Sequence, residues 1–570
     1  MMKVRGKNFR RAIVLVSMLF VVLAIGNPGA EEYVVGADSV ENPADPQEAF
    51  TLSLWVNKNT AVRWWQDDQN ERYVLFMPGA VKGKKLAVTF PGMENVYIDG
   101  QKVKNGEKYR FTEGVHSLKA DSASYQLEIL YTSEIASVFL ETASGTLDDM
   151  HASKDHEESG RMAVLDGRGS KYYEGDIEAM HCRGNSSFED TQKKSYTIKL
   201  SQKADLFGMG SAKKWLLVAN AFDDTLLRNT TAFSIAELLN LAYTPKAEYV
   251  DLYINGEYVG NYLLCEKIEV GKSRVDVRDL EKAVEELNEG MDLSAAEFFM
   301  EQQGRLFSTK GYRIGNEPDD ISGGYLLELE TSDRYGLEAS GFLTSRMQPV
   351  VFASPRYASY DQVSYIAGMY QDFEDAVFSE DGYSPYTGAA YSDYIDMDSF
   401  ARKYLLEELV KNLDASFTSQ YIYKYDDSVS DKFFAGPCWD YDKSIAASGI
   451  TNDGIDLHDP EGLYAAVQEK DSDLWFALYQ HEDFRTAVAA IFFGELEPQL
   501  RECAEEILYA NQERIRSSND CNMMRWNTFP QTEGLATKRE MYDRKVEELA
   551  DFIDRRLDFL AGEWSEMRHE

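Results

Sequence analysis

Two strand-forming runs joined by Asn255-Gly256 constrain this chain more tightly than any other feature of its 570 residues. Tyr249 to Ile254 and Glu257 to Glu266 are rich in Val, Leu and Tyr, and the link between them accepts the positive φ of a type I′ turn. A two-residue link also sets the register, placing Ile254 opposite Glu257 and Tyr253 opposite Tyr258. Strands and helical stretches follow one another on either side of this hairpin, so the expected fold class is α+β.

The strand signals form two groups. Leu52–Val56, Tyr73–Phe76, Leu86–Phe90, Val96–Ile98 and Tyr125–Tyr131 are short runs split by turns at Asp99-Gly100, Asn105-Gly106 and Glu113-Gly114. They predict a small antiparallel β-sandwich over residues 49–132, a spacer or a module for a glycan or protein ligand. A second region is expected over 135–570. In it Ser195–Leu200 alternates with period two, setting Tyr196, Ile198 and Leu200 on one face and Ser195, Thr197 and Lys199 on the other. Leu216–Ala219 and Gly324–Glu330 read as strands, Leu226–Leu241 as helix, and the charged stretch Arg278–Gly315 as a helical excursion. Asp398 is placed to cap a helix whose Phe400, Tyr404, Leu405, Leu409 and Leu413 keep helical spacing. Tyr421–Tyr425 and Lys432–Phe434 form a further hairpin, and Leu474 to about Trp564 is mostly helical.

Residues 1–30 have the layout of a secretory signal: Lys3, Arg5, Lys7, Arg10 and Arg11, an apolar run from Ala12 to Ile25, then Gly29-Ala30. Residues 31–48 then serve as a linker. The apolar run is short for a bilayer crossing, so no stable membrane span is expected after cleavage, and the protein is expected to be secreted or held at the cell surface. Losing those five cations from the 59 basic residues leaves 54 against 97 acidic ones, a net charge of −43. Such a surface repels nucleic acid and anionic lipid. The five cysteines show no CxxC spacing. Cys503 and Cys521 could pair, while Cys182, Cys265 and Cys438 read as small buried groups beside strands.

The chemistry points to Gly436-Pro-Cys-Trp-Asp-Tyr-Asp442, a turn that delivers Asp440 and Asp442 at the end of a strand. Magnesium prefers oxygen ligands and is usually held by one or two carboxylates with phosphate oxygens. Phosphoryl transfer further needs a base at the acceptor hydroxyl and cations on the phosphates. Asp414, closing Asn412-Leu-Asp414, suits the base. Lys199, with Lys193 or Lys194 as alternatives, suits a phosphate contact, and Glu266 could orient that lysine. Arg183 is a second phosphate candidate. Trp215 and Trp439 could stack on a base or fill the core, and Asp223 and Asp224 are helix-capping residues. Neither a GxxxxGK[ST] loop nor an HExxH or GxSxG motif occurs, and Gly208-x-Gly210 is too slight to count.

Together, Arg183-Gly-Asn-Ser-Ser187, Lys193–Leu200, Lys214–Asn220, Leu227-Arg-Asn229, Val250–Glu266, Asn412-Leu-Asp414 and Gly436–Asp442 resemble the spore coat protein H (CotH) family of atypical protein kinases. The likeness runs from about Ile135 to Ser444, with a helical tail beyond. It implies a much altered kinase-like domain that uses ATP and Mg2+ to phosphorylate Ser or Thr of extracellular or coat proteins, or else a non-catalytic coat scaffold. By that likeness Asp414 is the catalytic residue, Asp440 a metal ligand with Asp442 as a second, and Lys199, then Lys194, the lysine that serves the nucleotide. Arg183, Glu266 and Trp439 stay nucleotide candidates on their residue types alone. Many members carry Asn shortly after the catalytic Asp as another metal ligand. Here Ala415–Tyr421 has none, so Gln420 or Ser419 must substitute.

Overall fold

The hairpin forms with the register its turn dictates. Ala247–Ile254 pairs with Glu257–Glu266, Ile254 meets Glu257 and Tyr253 meets Tyr258. Asn255 (φ 51°) and Gly256 (φ 87°) supply the two left-handed residues of the turn. The structure is a computed structural model that describes residues 53–569 except 58–59, 68–71, 91, 122, 416, 448, 453 and 468–473. The expected signal and linker therefore lie outside the described residues. All of the described residues belong to one of the two units into which the chain divides, Phe50–Glu570.

The hairpin completes a closed barrel. Numbering strands from the first of the barrel, these are β1 (Ala136–Thr142), β2 (Glu158–Leu165), β3 (Lys171–Arg183), β4 (Ser195–Asp205), β5 (Ser211–Val218), β6 (Ala247–Ile254) and β7 (Glu257–Glu266). Their order is β1-β2-β3-β4-β5-β7-β6, closed by parallel pairing of β1 with β6. Tyr196, Ile198 and Leu200 point inward from β4 and meet Trp215, Leu217 and Leu264 in the barrel core. Each such side chain contributes about 1.5–3 kcal/mol of apolar burial, which is why the alternation of β4 leaves Thr197 and Lys199 outside.

Ahead of the barrel, two sheets share a core that includes Val62, Val74, Phe76, Val88, Ile98, Leu118 and Ile129. Asp99 (φ 49°) and Gly100 (φ 77°) close the expected turn between Val96–Ile98 and Gln101–Val103. The pairing is not purely antiparallel, because Arg72–Met77 runs parallel to Ala123–Tyr131. Alternation identifies the face of a strand and leaves its neighbour open.

A second sheet follows, built from β8 (Glu297–Glu301), β9 (Ser308–Arg313), β10 (Tyr325–Leu329), β11 (Gly341–Leu343), β12 (Pro349–Ser354), β13 (Gln420–Lys424) and β14 (Phe433–Ala435). Its order is β8-β9-β11-β12-β10-β13-β14. The helical excursion expected at 278–315 is corrected: only Leu280–Leu287 is α-helix, Leu293–Ala295 is a single 3-10 turn, and β8 and β9 form a hairpin. Phe298, Phe299 and Met300 are strand-forming residues, and β8 buries Phe299 while pairing with β9.

Four helices matter for the site: α1 (Arg228–Leu238), α2 (Met397–Val410), α3 (Glu497–Trp526) and α4 (Gly534–Glu563). Asp396, not Asp398, caps α2, accepting from the Ser399 N–H at 2.8 Å, while Asp398 pairs with Arg402 one turn on. Helix α3 lies across the hairpin, where Trp526 Nε1 donates to the Val259 carbonyl at 2.8 Å. From α4 the fully buried Arg556 donates to the Glu408 carbonyl at 2.8 Å and so clamps α2. Cys503 and Cys521 are both free and both on α3, about 27 Å apart at helical rise, which rules out the pairing. Among the described residues no helix is long and apolar enough to cross a membrane.

Candidate active site

Helix α2 stops at Val410 because Lys411 turns left-handed (φ 44°) and sends its ammonium to the carbonyls of Asp459 and Glu461. The loop that follows is pinned on all sides. Asn412 Nδ2 donates to Glu407 Oε2 at 2.9 Å, Tyr464 donates its hydroxyl to the Leu413 carbonyl at 3.1 Å, and Trp475 Nε1 donates to the Ala415 carbonyl at 2.6 Å. Asp414 is the residue this loop presents.

The acidic turn leaves β14 and is held from below. Tyr441 is fully buried, donates its hydroxyl to Glu407 at 2.7 Å, and has its backbone N–H taken by Asn229 Oδ1 at 2.8 Å. Arg228, buried and paired with Asp223, donates to the Ser444 carbonyl at 2.9 Å and the Ile445 carbonyl at 3.1 Å. The Leu227-Arg-Asn229 motif therefore anchors the turn. Asp440 sits at φ 66°, an unusual backbone for a non-glycine residue and a form of strain that gathers at functional sites.

Two backbone bonds join the loops: the Leu413 N–H donates to the Lys443 carbonyl at 3.2 Å and the Ile445 N–H to the Val410 carbonyl at 2.8 Å. As a result Asp414, Asp440 and Asp442 line one cavity of about 730 Å³, between the barrel and the second sheet. Arg183, Trp439, Ser419, Glu328, Glu330 and Lys443 share it. The Arg183 guanidinium lies 5.3 Å from the Trp439 ring centre.

The electrostatics match this crowding. Burial, then the charge of Asp440, pushes Asp414 up to about 7. Burial raises Asp440 too, with Arg183 and Lys443 opposing, and burial followed by Asp440 and Asp414 carries Asp442 well above the usual carboxylate range. On the facing strand, burial and then Glu330 push Glu328 to about 8. Among the described residues no protein donor hydrogen-bonds any of the three Asp carboxylates. A set of unpaired, mutually repelling oxygens suits a hard divalent cation, which magnesium-type sites hold with few protein ligands plus phosphate. No group of three His, Cys, Asp or Glu side chains among the described residues forms a ready-made metal cage.

A family model described as CotH kinase protein matches residues 180–560, the larger part of the chain. The chain belongs to the CotH family. No curated protein matches it. The CotH match extends past Ser444 into α3 and α4, so the helical tail lies within the family region.

Not every residue proposed from the sequence reaches the cavity. Lys199 pairs with Glu178 at 2.5 Å on the open outer surface of the barrel, further along β4 than Ser195, which does line the cavity. Lys194 donates instead to the carbonyls of Phe188 and Thr191. Glu266 pairs with Arg274 at 2.7 Å and accepts from the Lys246 N–H, in a separate pocket of about 420 Å³. Gln420 is buried with its Oε1 taken by the Lys403 ammonium at 2.9 Å, so it cannot replace a metal-binding Asn, whereas Ser419 does face the cavity. Trp215 belongs to the barrel core, and Asp223 caps the turn into α1 as expected. Sequence reasoning missed Glu328, Glu330 and Lys443. Their signals were present: Leu327-Glu-Leu-Glu330 alternates its two acids onto one face, and Lys443 directly follows Asp442.

Proposed function

We propose that this protein is an exported atypical kinase that transfers the γ-phosphate of ATP to Ser or Thr of extracellular or spore-coat proteins. The observation that carries the reading is the meeting of Asp414 with Asp440 and Asp442 in one cavity alongside Arg183 and Lys443. Asp440 and Asp442 hold magnesium, which when bound offsets the negative charge of the phosphates. Asp414 takes the proton of the acceptor hydroxyl as its oxygen bonds to the γ-phosphorus, and the β–γ bridging bond breaks with its electron pair leaving on ADP. A carboxylate whose pKa has been pushed up to about 7 is matched to that task near neutral pH. Arg183, stacked on Trp439, is placed to meet phosphate oxygens.

The test is ³²P transfer from ATP with magnesium to the protein itself or to a casein-like acceptor. Asp414→Asn should remove transfer in a protein that still unfolds cooperatively, at or above the parental Tm, and transfer at the parental rate would refute the assignment. A second reading, a surface or coat scaffold without turnover, draws support from Ala415–Tyr421, which has no Asn for the metal and whose Gln420 is held by Lys403. A parental protein that neither transfers phosphate nor is stabilised by ATP with magnesium would favour it.

A further inference from the structure

Three cations gather around the acidic turn without a carboxylate partner among the described residues. Arg183 and Arg356 line it, and Lys267, directly after Glu266 at the end of β7, lines the neighbouring pocket. The two hollows flank the start of the acidic turn, with Pro437 in the wall of one and Trp439 in the wall of the other. Among the described residues none of these three side chains has a carboxylate within ion-pair reach or an acceptor within hydrogen-bond reach. Nearby cations differ: Lys199, Lys214, Arg228 and Arg274 all find carboxylates.

These cations also press on one another. Burial, then the charges of Lys214, Arg183 and Arg356, pushes the Lys267 ammonium below the usual lysine range, with Glu269 alone opposing. His181, in the wall of the same cavity, is held low by burial with help from Lys267 and Arg183. Arg183 and Lys267 are partly buried, so solvent screens this repulsion incompletely. A polyanion placed between them would relieve it and take up N–H donors that no protein acceptor uses.

We propose that Arg183, Lys267 and Arg356 form the binding site for a polyphosphate chain, taking the place that Lys199 and Lys194 do not fill. Assigning that chain to the triphosphate of the donor nucleotide rests on the kinase reading; the anion site does not. Lys267 holds the inner phosphates from the β7 side, Arg183 braces against Trp439, and Arg356 closes the outer edge, where it is exposed.

Calorimetric titration of the full chain with inorganic tripolyphosphate, in chelator and at low salt, tests this directly. Binding to the parental protein is expected, weakened about 10- to 100-fold by Lys267→Met and by Arg356→Gln, while Lys199→Met leaves it unchanged. Arg356 is exposed, so its substitution leaves folding intact and keeps the test decisive if Lys267→Met folds poorly. No binding to the parental protein, or both variants within twofold of it, overturns the site. Tripolyphosphate binding that both substitutions weaken, in a protein that transfers no ³²P, retains the anion site and sinks the kinase reading alone.

Discussion

Replacing Asp440 with Asn should stabilise the metal-free protein while removing its activity. Asp440 is the leading charge acting on Asp442 and, after burial, on Asp414. Asp414 moves from 3.8 to about 7, and at about 1.4 kcal/mol per unit that is at most about 4 kcal/mol of disfavoured ionisation. Burial is the larger cause, so the share relieved by removing Asp440 is under about 2 kcal/mol at Asp414, with a further gain at Asp442. A carboxyl whose folded pKa lies above its unfolded value binds more protons when folded, so its contribution to stability falls as pH rises from 3.8 to about 7 and stays lost above. In chelator at pH 8, Asp440→Asn should therefore gain about 1–3 kcal/mol, a rise of roughly 1–3 °C in Tm for a chain of this size. At pH 5 the gain should shrink, since Asp414 is then mostly protonated in the parent. Magnesium should raise the parental Tm more than the variant's. Differential scanning calorimetry at both pH values, with and without magnesium, reads all of this. A variant less stable than the parent in chelator at pH 8, or equal magnesium effects on both, would refute the argument.

Arg228→Ala should cost about 3–5 kcal/mol in urea unfolding, because it leaves Asp223 buried without its partner and frees the carbonyls of Ser444 and Ile445. An effect under 1 kcal/mol would show that the acidic turn does not depend on α1. The pH profile of ³²P transfer should have an acid limb at or below about 7, since Asp414 accepts a proton only when ionised and bound magnesium lowers its pKa. Transfer undiminished at pH 4 would remove Asp414 from the role of base.

The legible parts of the fold were those decided by neighbours along the chain. Asn255-Gly256 admits one hairpin register, and the period-two pattern of β4 sent Tyr196, Ile198 and Leu200 inward. The acidic turn was conspicuous too, since Asp440 and Asp442 flank an aromatic residue. Where the reading failed, the partner lay far away. Lys199 and Ser195 share one face of β4, yet only Ser195 reaches the cavity. Glu266 found Arg274 rather than a strand lysine, and Gln420 was taken by Lys403 from α2.

Local sequence thus determined the hairpin register, the faces of strands, helix α2 with its cap to within a turn, and the mostly helical stretch after Leu474, because these follow from bonds and sterics between residues close along the backbone. Tertiary structure alone decided that the loops after α2 and β14 are stitched together, that Arg72–Met77 pairs in parallel, and that three cations without carboxylate partners gather around the acidic turn. A polar side chain has several possible partners of similar energy, and only the packing of distant elements selects among them.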